Sequence, residues 1–295
     1  MNCKENGFQP PYKIGLMKQP LIHQGWKRVL IFLICYVLLL LLSGSIWDLF
    51  PASVRNGTFL PVPFLYLPLV YNFFAGTLLV LFFRKAFDRQ TFTSLGLQWK
   101  QLGVERLAGI LSAVVILCGI AAVLWWMQLL RWYTKPVSLT SFLSVTVLMI
   151  LIAFGEELVF RGYVLRNLME QWHPTPSLIL SALVFAVFHS LNPDFNLIAF
   201  VNILLAGLVL GLNYIYTRNL WFGIFFHFAW NWLQGPVLGF EVSGLELPAL
   251  LHQDLSGSII LTGGGFGLEA SWLTTIALLL AIPLLYSLFQ KYYHR

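Results

Sequence analysis

Six ionisable and amide side chains interrupt stretches of the chain that are otherwise almost wholly apolar. They fall into three clusters at helical spacing and are Glu156, Glu157, Arg161, His189, His227 and Asn231. A charged group at bilayer depth costs several kcal/mol on insertion scales, so such residues usually face one another or a wet cavity. Three clusters of this kind in one chain indicate a site.

The residue types in these clusters suit the hydrolysis of an amide. A carboxylate and an imidazole can hold a water molecule and accept its proton as the water attacks a carbonyl carbon. A second imidazole and an amide can donate hydrogen bonds to the oxyanion that forms. The set Glu156, His189 and His227 also suits Zn²⁺, which binds imidazole nitrogen and carboxylate oxygen and keeps a position open for water. Zinc therefore remains open as a cofactor.

Composition predicts an all-α, polytopic membrane protein. Hydrophobic residues make up 58% of the 295 residues and charged residues 10%, and the mean hydropathy is +0.77. Spanning the hydrocarbon layer takes about 20 apolar residues. About eight transmembrane helices are expected, near residues 29–50, 60–83, 107–130, 141–165, 177–191, 196–216, 219–240 and 266–289. The run 177–191 is the shortest, and Pro174 and Pro176 mark its start.

The distribution of lysine and arginine predicts the orientation. With eight alternating spans, most basic residues fall on one side, and the other side carries an acidic loop with Glu241, Glu246 and Asp254. By the positive-inside rule, both termini are cytoplasmic. The net charge of +6 is then explained by topology, and no nucleic-acid partner is expected.

The three clusters are predicted to lie at one depth. At 1.5 Å per residue, His189 is about 18 Å from a helix start near Ser177, and Asn231 is about 18 Å from a start near Asn219. We therefore expect the clusters to meet in one cavity, opening to the cytoplasmic half of the bilayer. Glu156 and Glu157 point about 100° apart, so only one of them can aim at its centre. The other has Arg161 four residues on, and a structural ion pair between Glu157 and Arg161 is an equal alternative to a chemical role.

The clusters also suggest how the chain is divided. We expect a cytoplasmic tail over 1–28, three transmembrane helices and a cytoplasmic loop over 29–139, a catalytic core over 140–240, and an external loop with the last transmembrane helix over 241–295.

The motifs resemble a known family. The order EExxxR (Glu156, Glu157, Arg161), FxxxH (Phe185, His189) and HxxxN (His227, Asn231) is similar to that of the CPBP family. That family comprises CAAX prenyl endopeptidases and bacterial relatives linked to bacteriocin processing and self-immunity, also called Abi. The resemblance covers residues 140–237, and LGL at 95–97 and TGGGFGLE at 262–269 resemble flanking signatures of bacterial members.

The resemblance implies an intramembrane endopeptidase with a CAAX-protease-like core in a bacterial plasma membrane. Glu156 would be the general base, His189 would help position the water, and His227 with Asn231 would form the oxyanion site. Glu157 and Arg161 would support them. The expected partners are membrane lipid and a peptide or protein substrate, including membrane-anchored or lipidated ones.

Two other classes of function stay open on the sequence. A non-catalytic scaffold or bacteriocin-immunity protein would keep the helices without needing the four polar residues intact. An ion-coupled transporter would use the buried carboxylate and imidazoles as a proton relay. The chain shows no internal repeat, which disfavours the inverted-repeat architecture of many transporters.

Overall fold

The computed structural model describes residues 19–48, 66–98 and 102–293 and consists mainly of α-helices. Residues 1–18, which form most of the expected N-terminal tail, lie outside the described residues. The helices are α1 (Gly25–Asp48), α2 (Leu67–Ala86), α3 (Leu102–Trp126), α4 (Leu139–Glu157), α5 (Pro174–Phe188), α6 (Leu197–Thr217), α7 (Trp221–Trp232) and α8 (Trp272–Tyr293). Seven helices in the described ranges are long and apolar enough to cross a membrane. The chain is thus an integral, multi-pass membrane protein.

Local sequence accounts for several helix ends. The Ser138 hydroxyl accepts a hydrogen bond from the Ser141 N–H and starts α4, and the Asn196 side chain does the same for α6 through the Ala199 N–H. Pro174 opens α5, because the first turn of a helix needs no N–H donor there.

Two of the α-helices continue as π-helices. A π-helix over Leu158–Leu165 follows α4 directly, and a last α-helical turn extends it to Leu168. A second π-helix over Leu233–Val237 follows α7 and contains Pro236. One-turn π segments inside helices often mark functional sites. Here both follow a helix that carries residues of the predicted site.

The expectation that the run 177–191 forms a transmembrane helix is confirmed, whereas the expected span 219–240 is not among the candidate spans of the described residues. With the short 3₁₀ segment that follows it, α5 reaches Leu191 and has 18 residues, enough to be a candidate span. The short helix is α7, with 12 residues. Most of its residues are buried against α3, α4 and α6, so it is an inner helix that lipid hardly touches. Apolar residues are needed in a protein interior as well as in a bilayer. The apolar run 219–240 is therefore longer than the helix α7 that it contains.

The helix ends define two ends of the bundle. At the basic end lie Arg28, Arg84, Arg166 and Arg218, where Arg28 Nη1 is 2.6 Å from Asp88 Oδ1. The opposite end carries an antiparallel pair of strands, β1 (Leu130–Thr134) and β2 (Leu251–Leu255), which the sequence analysis did not predict.

Candidate active site

The end of α4 supplies the first cluster of the site. Glu157 is fully buried, whereas the Glu156 side chain is 27% exposed and faces a cavity. Glu157 Oε1 is 2.8 Å from Arg161 Nη1, so the expected ion pair within this helix is present. Arg161 also donates to the Gly207 carbonyl at 3.1 Å and stacks on the Phe185 ring at 4.4 Å. The buried guanidinium is therefore held from three directions.

Glu157 also contacts the third cluster. The same oxygen, Oε1, is 3.1 Å from Nδ1 of His227 on α7. Gly223 permits this approach, because a Cβ at that position would stand 2.7 Å from Glu157 Oε2 and 3.1 Å from the Leu210 carbonyl oxygen. Glu157 thus links the arginine to a histidine of the site.

The two histidines converge on Glu156. His189 Nε2 and His227 Nε2 are each 3.8 Å from Glu156 Oε2, an oxygen that is buried and accepts no hydrogen bond within the described part of the chain. This separation is too long for direct hydrogen bonds, but one water molecule can bridge groups so placed. The three side chains therefore surround a position suited to a polarised water.

Hydrogen bonds at the other ring nitrogens assign the tautomers. His189 Nδ1 lies 2.8 Å from the Phe185 carbonyl oxygen, which only accepts, so Nδ1 carries the proton. His227 Nδ1 must likewise donate to Glu157. In the neutral rings, both Nε2 atoms are then acceptors, and His227 must be protonated to donate from Nε2.

The side chains line a cavity of about 230 Å³. Glu156, His189, His227 and Asn231 all contribute to its wall, so the structure brings the four predicted residues together. The wall also includes Asn192, Ser243 and Leu245. These residues belong to segments at the opposite end of the bundle, whereas the sequence analysis expected a cavity that opens toward the cytoplasmic half.

Glu269 is a second carboxylate in the cavity wall, and it was not predicted as a site residue. It is 5% exposed, and its Oε2 accepts hydrogen bonds from the Ser243 N–H at 2.7 Å and from Gln234 Nε2 at 3.0 Å. Burial raises the pKa of Glu269 to about 7, against the opposing effect of these hydrogen bonds and of His227. A signal was available, because Glu269 is the only acidic residue between Ser258 and Arg295 and ends the TGGGFGLE stretch.

The zinc hypothesis names Glu156, His189 and His227 as the ligands. Across the described residues, no three His, Cys, Asp or Glu side chains are arranged to hold a metal ion. Glu156, His189 and His227 have suitable donor atoms, and the zinc cofactor stays a prediction.

The central part of the chain matches a model of a known protein family. Residues 136–233 match the family model described as type II CAAX prenyl endopeptidase Rce1-like, and this range contains all three predicted clusters. Neither the curated proteins nor the solved structures gave a match. Through residues 136–233, this membrane protein is similar to the CPBP/CAAX protease family.

Proposed function

We propose that this protein is an intramembrane endopeptidase in which Glu156 activates a water molecule. The observation that carries the proposal is the unpaired Oε2 of Glu156, buried 3.8 Å from the Nε2 atoms of His189 and His227. The family match supports the class of reaction.

The first step is the attack of water on the substrate carbonyl. The water donates one hydrogen bond to Glu156 and one to His189 Nε2, which is an acceptor in the tautomer set by the Phe185 carbonyl. As the water oxygen bonds to the carbonyl carbon, Glu156 takes its proton. General-base assistance of this kind contributes about 10²- to 10⁴-fold to a rate.

The oxyanion that forms is stabilised by His227 and Asn231. His227 donates from Nε2 in its protonated form, in which Nδ1 also donates to Glu157. The Asn231 amide donates a second hydrogen bond. When the intermediate collapses, the C–N bond breaks, and Glu156 returns its proton to the leaving amine.

Glu157 and Arg161 are positioning residues in this scheme. Glu157 orients the His227 ring, and Arg161 balances the charge of Glu157. Zinc, if bound, would be held by Glu156, His189 and His227 and would polarise the attacking water.

The substrate is a peptide or protein that reaches the site from the membrane. Apolar and aromatic side chains, including Tyr36, Phe73 and Phe188, line much of the cavity. They suit an apolar or lipidated segment anchored in the bilayer. From the resemblance to bacterial members we infer a plasma-membrane location, and from the distribution of lysine and arginine we infer that both termini are cytoplasmic.

Purified protein in detergent tests the proposal. Wild type and Glu156→Gln are incubated with mixed synthetic peptides, unmodified and C-terminally prenylated, and products are identified by mass spectrometry. We expect the variant to fold normally and to cleave about 10²- to 10⁴-fold more slowly. Equal cleavage by the two proteins would exclude Glu156 as the base. Elemental analysis, together with activity that a chelator abolishes, would instead favour the zinc mechanism.

A further inference from the structure

The basic end of the bundle holds more positive than negative charge in partly buried positions. The carboxylates that contact its arginines are Asp88 and Glu170, and the buried Glu105 accepts a hydrogen bond from the Tyr293 hydroxyl. Arg28 contacts both Asp88 and Glu170, and Arg84 Nη1 is 2.8 Å from Asp88 Oδ2. Arg28 and Arg84 thus occupy Asp88 and Glu170. The other two arginines of this end, Arg166 and Arg218, form no ion pair within the described ranges, although the charge of Glu170 acts on Arg218.

Some N–H donors of the Arg166 and Arg218 guanidinium groups have a weak acceptor or none. Arg218 Nη1 points at the Met169 sulfur at 3.3 Å, which is a weak acceptor. The Nε of Arg166 is buried and finds no hydrogen-bond partner in the described ranges. A guanidinium has five N–H donors, and leaving buried donors unmatched is unfavourable.

The two arginines also repel each other. Both are half-buried, and the charge of Arg166 acts on Arg218 and on Arg84. Burial lowers the pKa of Arg218, and Arg166 lowers it further. Like charges with little water around them are stabilised by an anion bound between them.

Their position indicates what kind of anion is available. Arg166 follows the π-helix that extends α4, and Arg218 directly follows the last residue of α6, so both stand where membrane-spanning segments end. Trp26 and Trp172 at the same end are each 41% exposed, as expected of aromatic residues at the level of lipid headgroups.

We propose that Arg166 and Arg218 form a binding site for a phosphate group, supplied by the headgroup of an anionic lipid or by free phosphate. Guanidinium groups bind phosphate oxygens through paired, charge-assisted hydrogen bonds. One phosphate satisfies the unmatched donors and cancels the repulsion. The site is separate from the catalytic cavity, none of whose wall residues it shares.

Thermal unfolding of the full chain in a neutral detergent tests the site. The probes are phosphatidylglycerol, phosphatidylcholine and inorganic phosphate. Phosphatidylglycerol should raise the Tm of the wild type by several degrees, and phosphatidylcholine should raise it much less. A rise with inorganic phosphate as well would show that the site accepts phosphate without a lipid.

Two double variants identify the residues responsible. Arg166→Gln with Arg218→Gln should lose most of the phosphatidylglycerol shift, and without lipid it should be no less stable than wild type, because a repulsion is removed. Arg131→Gln with Lys135→Gln removes the same charge from exposed positions at the opposite end and should keep the shift. Equal shifts in both double variants, or equal losses, would overturn the proposal.

A second measurement covers the case in which the Arg166/Arg218 variant fails to fold. Native mass spectrometry of the wild type counts the phospholipids that stay bound after extraction with mixed lipids. We expect retained phosphatidylglycerol in preference to phosphatidylcholine. A wild-type protein that retains neither, or both equally, would contradict the site.

Discussion

One carboxylate oxygen, Glu157 Oε1, contacts both an arginine and a histidine in this site. Glu157 Oε1 is 2.8 Å from Arg161 Nη1 and 3.1 Å from His227 Nδ1. The first contact neutralises a buried arginine, and the second holds a ring that faces the cavity. The sequence analysis treated an ion pair and a chemical role as alternatives for Glu157, and the geometry combines the ion pair with the orientation of a histidine.

This double contact makes Glu157→Gln harmful in two ways. Removing one partner of a buried ion pair costs about 3–5 kcal/mol of stability, because the remaining charge is unpaired. The variant should therefore unfold at a lower temperature than Glu156→Gln, and it should cleave peptide slowly. Parallel measurements of Tm and cleavage rate on the two variants would show whether the neighbouring carboxylates differ in this way.

A double variant separates the two tasks. Combining Glu157→Gln with Arg161→Met removes both charges and should recover much of the lost stability. Activity should stay low, because His227 still lacks the carboxylate that orients it. Recovery of activity together with stability would mean that Glu157 serves the fold alone.

Glu269 should make stability depend on pH. Its pKa of about 7 in the folded protein is above the ordinary value of 4.5, so the folded state holds a proton that the unfolded state has lost. Stability from this group is then present below about pH 4.5 and is lost as the pH rises to about 7. In Tm measurements across this range, Glu269→Gln should show a smaller fall than wild type. Identical slopes would contradict the role of burial.

The residues of the site could be predicted from the sequence, but most of the contacts between them could not. Helical spacing and common depth were enough to group Glu156, His189, His227 and Asn231. The contact from Glu157 to His227 could not be predicted, because it depends on how closely α7 approaches α4. Glu269 was not predicted for a similar reason. It is far along the chain from the three clusters, and only the folded structure shows that it lies in the cavity wall.

At the level of elements, the site depends on close packing between α5 and α6. Gly207 on α6 faces Ala182 on α5, and a Cβ added at Gly207 would stand 2.9 Å from the Ala182 Cβ. The Gly207 carbonyl also accepts the hydrogen bond from Arg161. A glycine here lets α6, whose carbonyl group holds Arg161, lie close to α5, whose end leads into His189.

Gly207→Ala should therefore lower stability and activity together. Forcing extra volume into a packed interface typically costs about 1–3 kcal/mol. Gly119→Ala is the matched control, because a Cβ at Gly119 on α3 meets no atom within 4 Å. The control should be as stable as wild type or slightly more stable, since alanine favours a helix over glycine. Equal effects of the two substitutions in Tm measurements would argue against the tight contact.

The predictability of the elements follows from what hydropathy measures. Apolar runs marked the positions of the eight helices, since burial in lipid and in protein both require apolar side chains. The same property hid the true length of α7. The strand pair β1–β2 was missed because two five-residue segments far apart in sequence carry no joint signal.

At the scale of the whole molecule, the described helices run alternately between the two ends of the bundle, and the orientation of these ends in the membrane stays a prediction. The structure places the starts of α1, α3, α5 and α7 at the basic end, which is the end the sequence assigns to the cytoplasm. Contacts agree, because Asn213 at the end of α6 donates to the Tyr293 hydroxyl at the end of α8 at 3.1 Å.

Topology reporters test this orientation. A reporter fused after Arg295 should be active in the cytoplasm, and one inserted at Asp254 should be active outside. An even number of crossings between the two positions would give the same side for both and would refute the orientation. Position 84, on the basic end, should agree with the reporter at Arg295.

The Glu157–Arg161 pair bears on how the protein enters the membrane. Each charged side chain at the centre of an inserting helix costs about 2.5–3.5 kcal/mol on translocon scales. Because both partners belong to one helical segment, they can neutralise each other while the ribosome is still synthesising α5. The histidines that complete the site emerge later. The segment that carries the most charge is thus the one that can enter the bilayer without a partner helix.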